Sequence, residues 1–255
     1  MMLLIDAGNS RIKWALVQGN EWLRSGLLPV AQAGELSQQL SAHLAPSPGT
    51  GQALPGTNDI EQVWVSNVAG AAVARQICEI GVGRNVKPHF VIARQQQCGV
   101  RNGYAQADQL GSDRWAALIA AWHLLRGGCL VVNCGTATTI DALSGQGEFT
   151  GGLILPGVDM MQGSLSAASA RLATGRGVYR PFPDNTADAM FSGAIQASCG
   201  AIHRQHALLA DDRAPVVLSG GAAGMLKDHL KMPLRVVDNL VLQGLLIIAQ
   251  EVSEA

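Results

Sequence analysis

Leu3-Leu-Ile-Asp-Ala-Gly-Asn-Ser-Arg-Ile-Lys-Trp-Ala-Leu16 and, in the second half of the chain, Leu130-Val-Val-Asn-Cys-Gly-Thr-Ala-Thr-Thr-Ile-Asp-Ala-Leu143 decide how this protein is built. In each stretch an apolar run ends on a polar residue, Asp6 or Asn133. A glycine follows two residues later, Gly8 or Gly135, and polar Asn9-Ser10 or Thr136-Ala137 leads into a second apolar run. Apolar runs joined by a short Gly-bearing turn predict paired strands. Leu, Gly, Ala and Leu recur in register between the two stretches, so the pattern predicts a duplicated α/β unit.

The residues between and after the two turns continue an alternating strand and helix order. Val63–Val68 and His89–Ile92 read as strands around a helix over 71–80. Glu35–Leu44 reads as a short helix, followed by a Pro- and Gly-rich surface loop over 46–56. A helix is expected from Asp113 to Arg126, with Ser112 as its cap and Leu118, Ile119, Trp122 and Leu125 at helical spacing. Further on come a helix over 186–209, strands over 216–218 and 234–237, and an apolar closing helix over 240–252. Trp14, Trp115 and Trp122 are expected in the core, where large aromatics bury their surface.

Bulk properties narrow the function. A net charge of -1 over 255 residues gives no positive field to hold nucleic acid through its phosphates. Five cysteines without a Cys-x-x-Cys pair suit a reducing compartment, and the expected location is cytoplasmic. No apolar stretch reaches the ~18–20 residues that span a bilayer, so no membrane partner is expected. His203 and His206 share a helical face but lack a third metal ligand nearby in sequence.

The two turns carry the expected chemistry. Backbone N–H groups reach phosphates most closely where glycine leaves the approach open, which suits Gly8 and Gly135 to a nucleotide. Asp6 is placed to hold hydrated Mg²⁺ through water, while Asn9, Ser10, Lys13 and Thr136 offer charge and hydrogen bonds to phosphates. One such turn alone reads equally as an ordinary β-turn; two copies favour a phosphate clamp. In Gly111-Ser-Asp-Arg114, Asp113 is either a general base for an attacking hydroxyl or an acid complementing the helix dipole. Arg114 correspondingly binds an anionic group or is solvated. Ser219-Gly220-Gly221 is either a turn over an adenine ring or a plain strand-to-helix connection, and Gly151-Gly152 and Pro156-Gly157 bracket another apolar strand.

Taken in order, Asp6–Lys13, Gly111–Arg114, Gly135–Asp141, Gly151–Gly157 and Ser219–Gly221 resemble the type III pantothenate kinases. These are members of the acetate and sugar kinase, Hsp70 and actin superfamily. The resemblance implies an α/β fold of two tandem ribonuclease H-like (actin-like ATPase) domains, with mixed sheets flanked by helices. The expected domains are 1–112 and 113–255, the last helix packing back on the first domain. It implies transfer of the ATP γ-phosphoryl group to pantothenate, giving 4'-phosphopantothenate in the first step of coenzyme A biosynthesis. Asp113 is then the catalytic base. Asp6, Gly8, Asn9, Ser10, Lys13 and Thr136 hold ATP with Mg²⁺, and Tyr104, Gly111, Ser112, Asp113, Arg114 and Thr186 hold pantothenate. Thr186 reaches the substrate across a homodimer interface.

The family has an aspartate, binding potassium or ammonium, where this chain has Asn133. An amide oxygen coordinates a monovalent cation without ionic attraction, so little dependence on potassium is expected. The alternative function is a catalytically weak regulatory or accessory protein keeping the kinase fold. A third reading makes water the acceptor in place of pantothenate.

Overall fold

The first glycine turn joins antiparallel strands β1 (Met2–Ala7) and β2 (Arg11–Gln18), with Asp6 directly opposite Lys13. In the computed structural model the described residues are 1–44, 60–169, 172, 175, 177–209 and 211–254. The expected loop over 46–56 lies outside them. Leu3, Ile5, Ile12 and Trp14 are fully buried in one core cluster, because strands with alternating apolar side chains bury one face at ~1.5–3 kcal/mol per large residue.

Strand β3 (Glu21–Pro29) pairs antiparallel with β2 on one side, while β4 (Gln62–Asn67) and β5 (Pro88–Phe90) add in parallel on the other. The first sheet therefore has the order β3-β2-β1-β4-β5. Its helices are α1 (Leu36–Leu44) and α2 (Ala71–Val82), whose Val73, Ile77 and Ile80 enter the same core.

The second sheet repeats the plan. After the small strands β6 (Gln96–Gln97) and β7 (Val100–Asn102) and helix α3 (Ser112–Leu125), strand β8 (Cys129–Cys134) turns through Gly135 into antiparallel β9 (Ala137–Leu143). Strand β10 (Glu148–Pro156) pairs antiparallel with β9. Helices α4 (Val158–Ala168) and α5 (Thr186–His206) follow, then β11 (Val216–Ser219), the short α6 (Ala223–Leu226), β12 (Leu234–Val236) and α7 (Leu240–Glu254). Strands β11 and β12 add in parallel beside β8. The order β10-β9-β8-β11-β12 thus matches β3-β2-β1-β4-β5 in sequence and direction, and β7 and β6 extend it beyond β10. A register shift interrupts the outer hairpin of each set, at Leu16/Val17 and at Phe149/Gly151. The duplication inferred from a weak sequence echo is present in strand order.

Contacts group Met1–Arg94, Asp108–Ala117 and Val241–Ala255 as one unit, and Gln95–Ala107 with Leu118–Leu240 as the other. A single cut between residues 112 and 113 describes this division less well than the interleaving, because α3 begins at Ser112 and its first turns group with the first sheet.

Several boundaries move from expectation. The strand expected over 89–92 is Pro88–Phe90, and the long helix ends at His206 rather than 209. Trp14 and Trp115 are fully buried, as expected of core aromatics, whereas Trp122, placed with them from the sequence, is only half-buried. His203 and His206 spend ring nitrogens on the carbonyls of Cys199 and Ala214, at 2.7 and 2.8 Å. No helix among the described residues is long and apolar enough to cross a membrane.

Candidate active site

Asp6 sits one residue before the end of β1, opposite Lys13 on β2 and in register with Ser66 on β4. Its carboxyl is half-buried. Burial pushes it up to about 7, the Asp113 carboxylate adds to the rise, and Lys13 opposes it. The turn beyond is closed by the Gly8 N–H donating to the Arg11 carbonyl at 3.0 Å, which leaves Asn9 and Ser10 exposed at the tip.

The start of α3 supplies the second carboxylate of this unit. The Trp115 N–H donates to the Gly111 carbonyl at 2.9 Å, forming the first helical turn, and the Arg114 N–H donates to Asp113 Oδ1 at 2.8 Å. Burial raises the Asp113 carboxyl above the ordinary range, opposed by that N–H and by the Arg114 guanidinium. A Cβ on Gly111 would lie 2.7 Å from Asp113 Oδ1, so a side chain there would crowd the carboxylate. Arg114 is buried rather than solvated. Ser112, expected to cap the helix, is instead its first residue, because the Gly111 carbonyl accepts the opening helical bond, and its hydroxyl shares a 2.9 Å hydrogen bond with the Ser66 hydroxyl. The first unit therefore gathers Asp6, Gly8, Lys13, Gly111, Ser112, Asp113 and Arg114 around two carboxylates with raised pKa values, a pattern common at reactive sites.

In the second unit, Asn133 near the end of β8 is in register with Thr139 and Ser219. The Gly135 N–H donates to the Ala137 carbonyl at 3.0 Å, one residue tighter than the corresponding bond at Gly8. Two further segments close on this turn. The Gly157 N–H donates to the Thr136 carbonyl at 2.8 Å, and a Cβ on Gly157 would come within 2.6 Å of that same oxygen. Gly220 has φ 98°, a left-handed backbone, and any Cβ there would run into the Cys134 carbonyl. Both glycines are thus required by backbone-to-backbone packing, Gly157 on Gly135 and Thr136 and Gly220 on Cys134.

Tyr104 and Thr186 also belong to the second unit. The Tyr104 N–H donates to Asn102 Oδ1 at 3.0 Å, and its ring lies 5.2 Å from that of Phe149. Thr186 is the exposed first residue of α5, behind Asn185, whose side chain accepts from the Asp188 N–H as an N-cap. It lines an open groove of about 550 Å³ with Leu165, Pro183, Asn185, Ala189 and Met190.

Among the described residues no three His, Cys, Asp or Glu side chains cluster as metal ligands. Asp6, raised by burial and by the charge of Asp113, has the donor chemistry to tether a metal through a carboxylate. Sequence reasoning missed Ser66. The available signal was a lone hydroxyl inside the apolar run Val-Trp-Val-Ser of β4.

A glycine turn ending the first strand of each of two sheets of matching order, with an acid at the first turn, is the plan of the actin-like ATPase fold. Solved structures of the same fold include the ethanolamine utilization protein EutJ from Carboxydothermus hydrogenoformans, with TM-score 0.56 at 15% identity over 97% of this chain and 88% of that one. Another is MreB 5 of Spiroplasma citri bound to AMPPNP, with TM-score 0.51 at 9% identity over 99% of this chain and 97% of that one. At these identities the likeness concerns the fold alone.

A profile of the type III pantothenate kinase family matches residues 2–207. A type III pantothenate kinase of Nitrosospira multiformis is 45% identical over 100% of this chain and 93% of its own length, and one of Aromatoleum aromaticum is 44% identical over 100% of both. The chain belongs to the type III pantothenate kinase family and is an ATP-dependent kinase.

Proposed function

We propose that the protein phosphorylates the primary hydroxyl of pantothenate with ATP, giving 4'-phosphopantothenate and ADP, the opening step of coenzyme A biosynthesis. The observation that carries the residue assignment is the pair Asp6 and Asp113, two half-buried carboxylates of which Asp6, opposite Lys13, is raised by burial and by the charge of Asp113. Asp113, once ionised, takes the hydroxyl proton. The freed oxygen attacks the γ-phosphorus, and the bond to the β–γ bridging oxygen breaks to release ADP. Arg114, beside that base, binds an anionic group of pantothenate, and Gly111 keeps the approach open. Ser112 contributes through its backbone, since its hydroxyl is engaged by Ser66. Tyr104 and Thr186 complete the pantothenate contacts, Thr186 from a partner subunit of a cytoplasmic homodimer.

ATP is held by Gly8, Asn9, Ser10 and Lys13 from the first turn and by Thr136 from the second. Mg²⁺, tethered to Asp6 through water, neutralises charge on the phosphates when bound. The Asn133 side-chain oxygen suits a monovalent cation such as K⁺ or NH₄⁺, held weakly.

The test is ADP formation by purified protein with ATP and Mg²⁺, with and without pantothenate. The expected result is turnover that requires pantothenate; ATP consumption indifferent to it favours water as acceptor, and no consumption favours an accessory role. Asp113→Asn lowers kcat by ~10²–10⁴-fold with ATP binding nearly intact. Wild-type turnover in that variant reduces Asp113 to a helix-end acid.

A further inference from the structure

Two buried hydroxyls lie beside the carboxylate pair without a part in the chemistry above. Ser66 is completely inaccessible and Ser112 is 8% exposed, and their Oγ atoms are 2.9 Å apart. A hydroxyl taken out of water is costly unless it is hydrogen-bonded. Core packing alone would be served by an apolar side chain at position 66, as at Trp64, the buried residue two positions earlier on the same face of the strand, so the serine is explained by its bond.

The bond has a particular span. Ser66 is paired in register with Asp6 across β1 and β4, and Ser112 immediately precedes Asp113. The backbone of β4 is fixed by ladders to β1 and β5 on its two sides. A helix start has no such ladder, and Ser112, the first residue of α3 after the Gly111 carbonyl that accepts the opening helical bond, gives its hydroxyl to the strand.

We propose that Ser66 is a positioning residue, its hydroxyl anchoring the first turn of α3 to the sheet so that Asp113 is held at a fixed distance from Asp6 and from the hydroxyl it deprotonates. This rests on Asp113 being the general base. Loss of the anchor lets the base drift without removing any group that touches ATP or pantothenate. An ångström of misplacement costs up to ~10²-fold in rate, so loss of one anchoring bond is expected to cost roughly tenfold in kcat.

The experiment compares wild type, Ser66→Ala, the double variant Ser66→Ala with Ser112→Ala, and Asp113→Asn, in steady-state kinetics and thermal unfolding of the full chain. Ser66→Ala is expected to lower kcat roughly tenfold with KM for ATP and pantothenate unchanged. It also strands the Ser112 hydroxyl and lowers the unfolding midpoint. The double variant strands no hydroxyl, so its midpoint recovers toward wild type while kcat stays low. Wild-type kcat in Ser66→Ala, or kcat recovering together with the midpoint in the double variant, overturns the positioning role and leaves a structural bond. A raised pantothenate KM at unchanged kcat overturns it too, by moving the effect to substrate binding. Full turnover by Asp113→Asn, or an inactive wild type, instead overturns the base assignment and takes this proposal with it.

Discussion

Replacing Asp6 with Asn should stabilise the unliganded protein, and by an amount that grows with pH. The Asp6 carboxyl titrates at about 7 in the fold against an ordinary 3.8. Below pH 4 it is protonated in both the folded and the unfolded chain and contributes nothing. Between those two values the fold retains a proton that the unfolded chain has released, so stability falls as pH rises; above pH 7 both states are ionised and the penalty is full. At about 1.36 kcal/mol per pH unit over roughly three units, the ceiling is about 4 kcal/mol, a large share of the ~5–15 kcal/mol of a typical domain. Burial is the main cause, Asp113 adds to it, and Lys13 is the opposing charge. Asn is close in shape and neutral throughout, so it removes the penalty while also removing the proposed tether for Mg²⁺. The assay is chemical denaturation of wild type and Asp6→Asn at pH 5, 6, 7 and 8 without nucleotide. The stability gap should open from pH 5 and level off above 7. Parallel pH profiles, or a less stable Asp6→Asn at pH 8, would refute the claim that the site holds a carboxylate at an energetic cost.

Two other substitutions have signs fixed by the local structure. Gly244 of α7 lies against the backbone of α3, where a Cβ would meet the Ala116 carbonyl and come within 2.9 Å of its Cα; Gly244→Ala should therefore cost ~1–3 kcal/mol by overpacking. Gly200 of α5 has nothing within 4 Å of its Cβ position, so Gly200→Ala should instead gain ~0.4–1 kcal/mol. Opposite shifts in the thermal midpoints of the two variants check both. Asn133→Asp should restore an ionic ligand and make kcat rise on exchanging sodium for potassium, where wild type responds little. An equal response in the two proteins would remove Asn133 from any cation site.

The elements that were legible in the sequence are those whose pattern is set by their own burial. Strands β1 and β8 are apolar runs ended by Asp6 and Asn133, and each leads through glycine into a partner strand. Strand β3 was not legible. It is an edge strand, mostly exposed, with no alternation in Glu-Trp-Leu-Arg-Ser-Gly-Leu-Leu-Pro, and its Gly26 is explained only by the Trp14 indole, which lies 2.5 Å from where a Cβ would be. A residue kept small to admit a side chain from the neighbouring strand carries no periodic signal of its own. Helix α4 was missed for a related reason: Val-Asp-Met-Met-Gln-Gly-Ser-Leu buries little beyond Val158, so no strong apolar stripe marks it.

The site divides along the same line. Asp6 opposite Lys13 follows from the hairpin, since antiparallel pairing around a tight turn fixes which residues face each other. That Asp113 lies close enough for its charge to act on Asp6 does not follow from any spacing, because it depends on how β4 and α3 meet. The misassigned helix cap shows why. Ser112 reads as a cap in the sequence, yet the Gly111 carbonyl accepts the first helical bond, so Ser112 stands in the first turn and its hydroxyl bonds Ser66, 46 residues away in the chain. Capping rules apply to the residue just before the helix, and which residue that is depends on where the first turn starts. Ser66 is a second buried hydroxyl, and an unpaired one inside the protein is costly, so the bond satisfies both serines at once. The bond joins the strand paired with the one carrying Asp6 to the helix carrying Asp113, a tertiary link that no local pattern in either segment records.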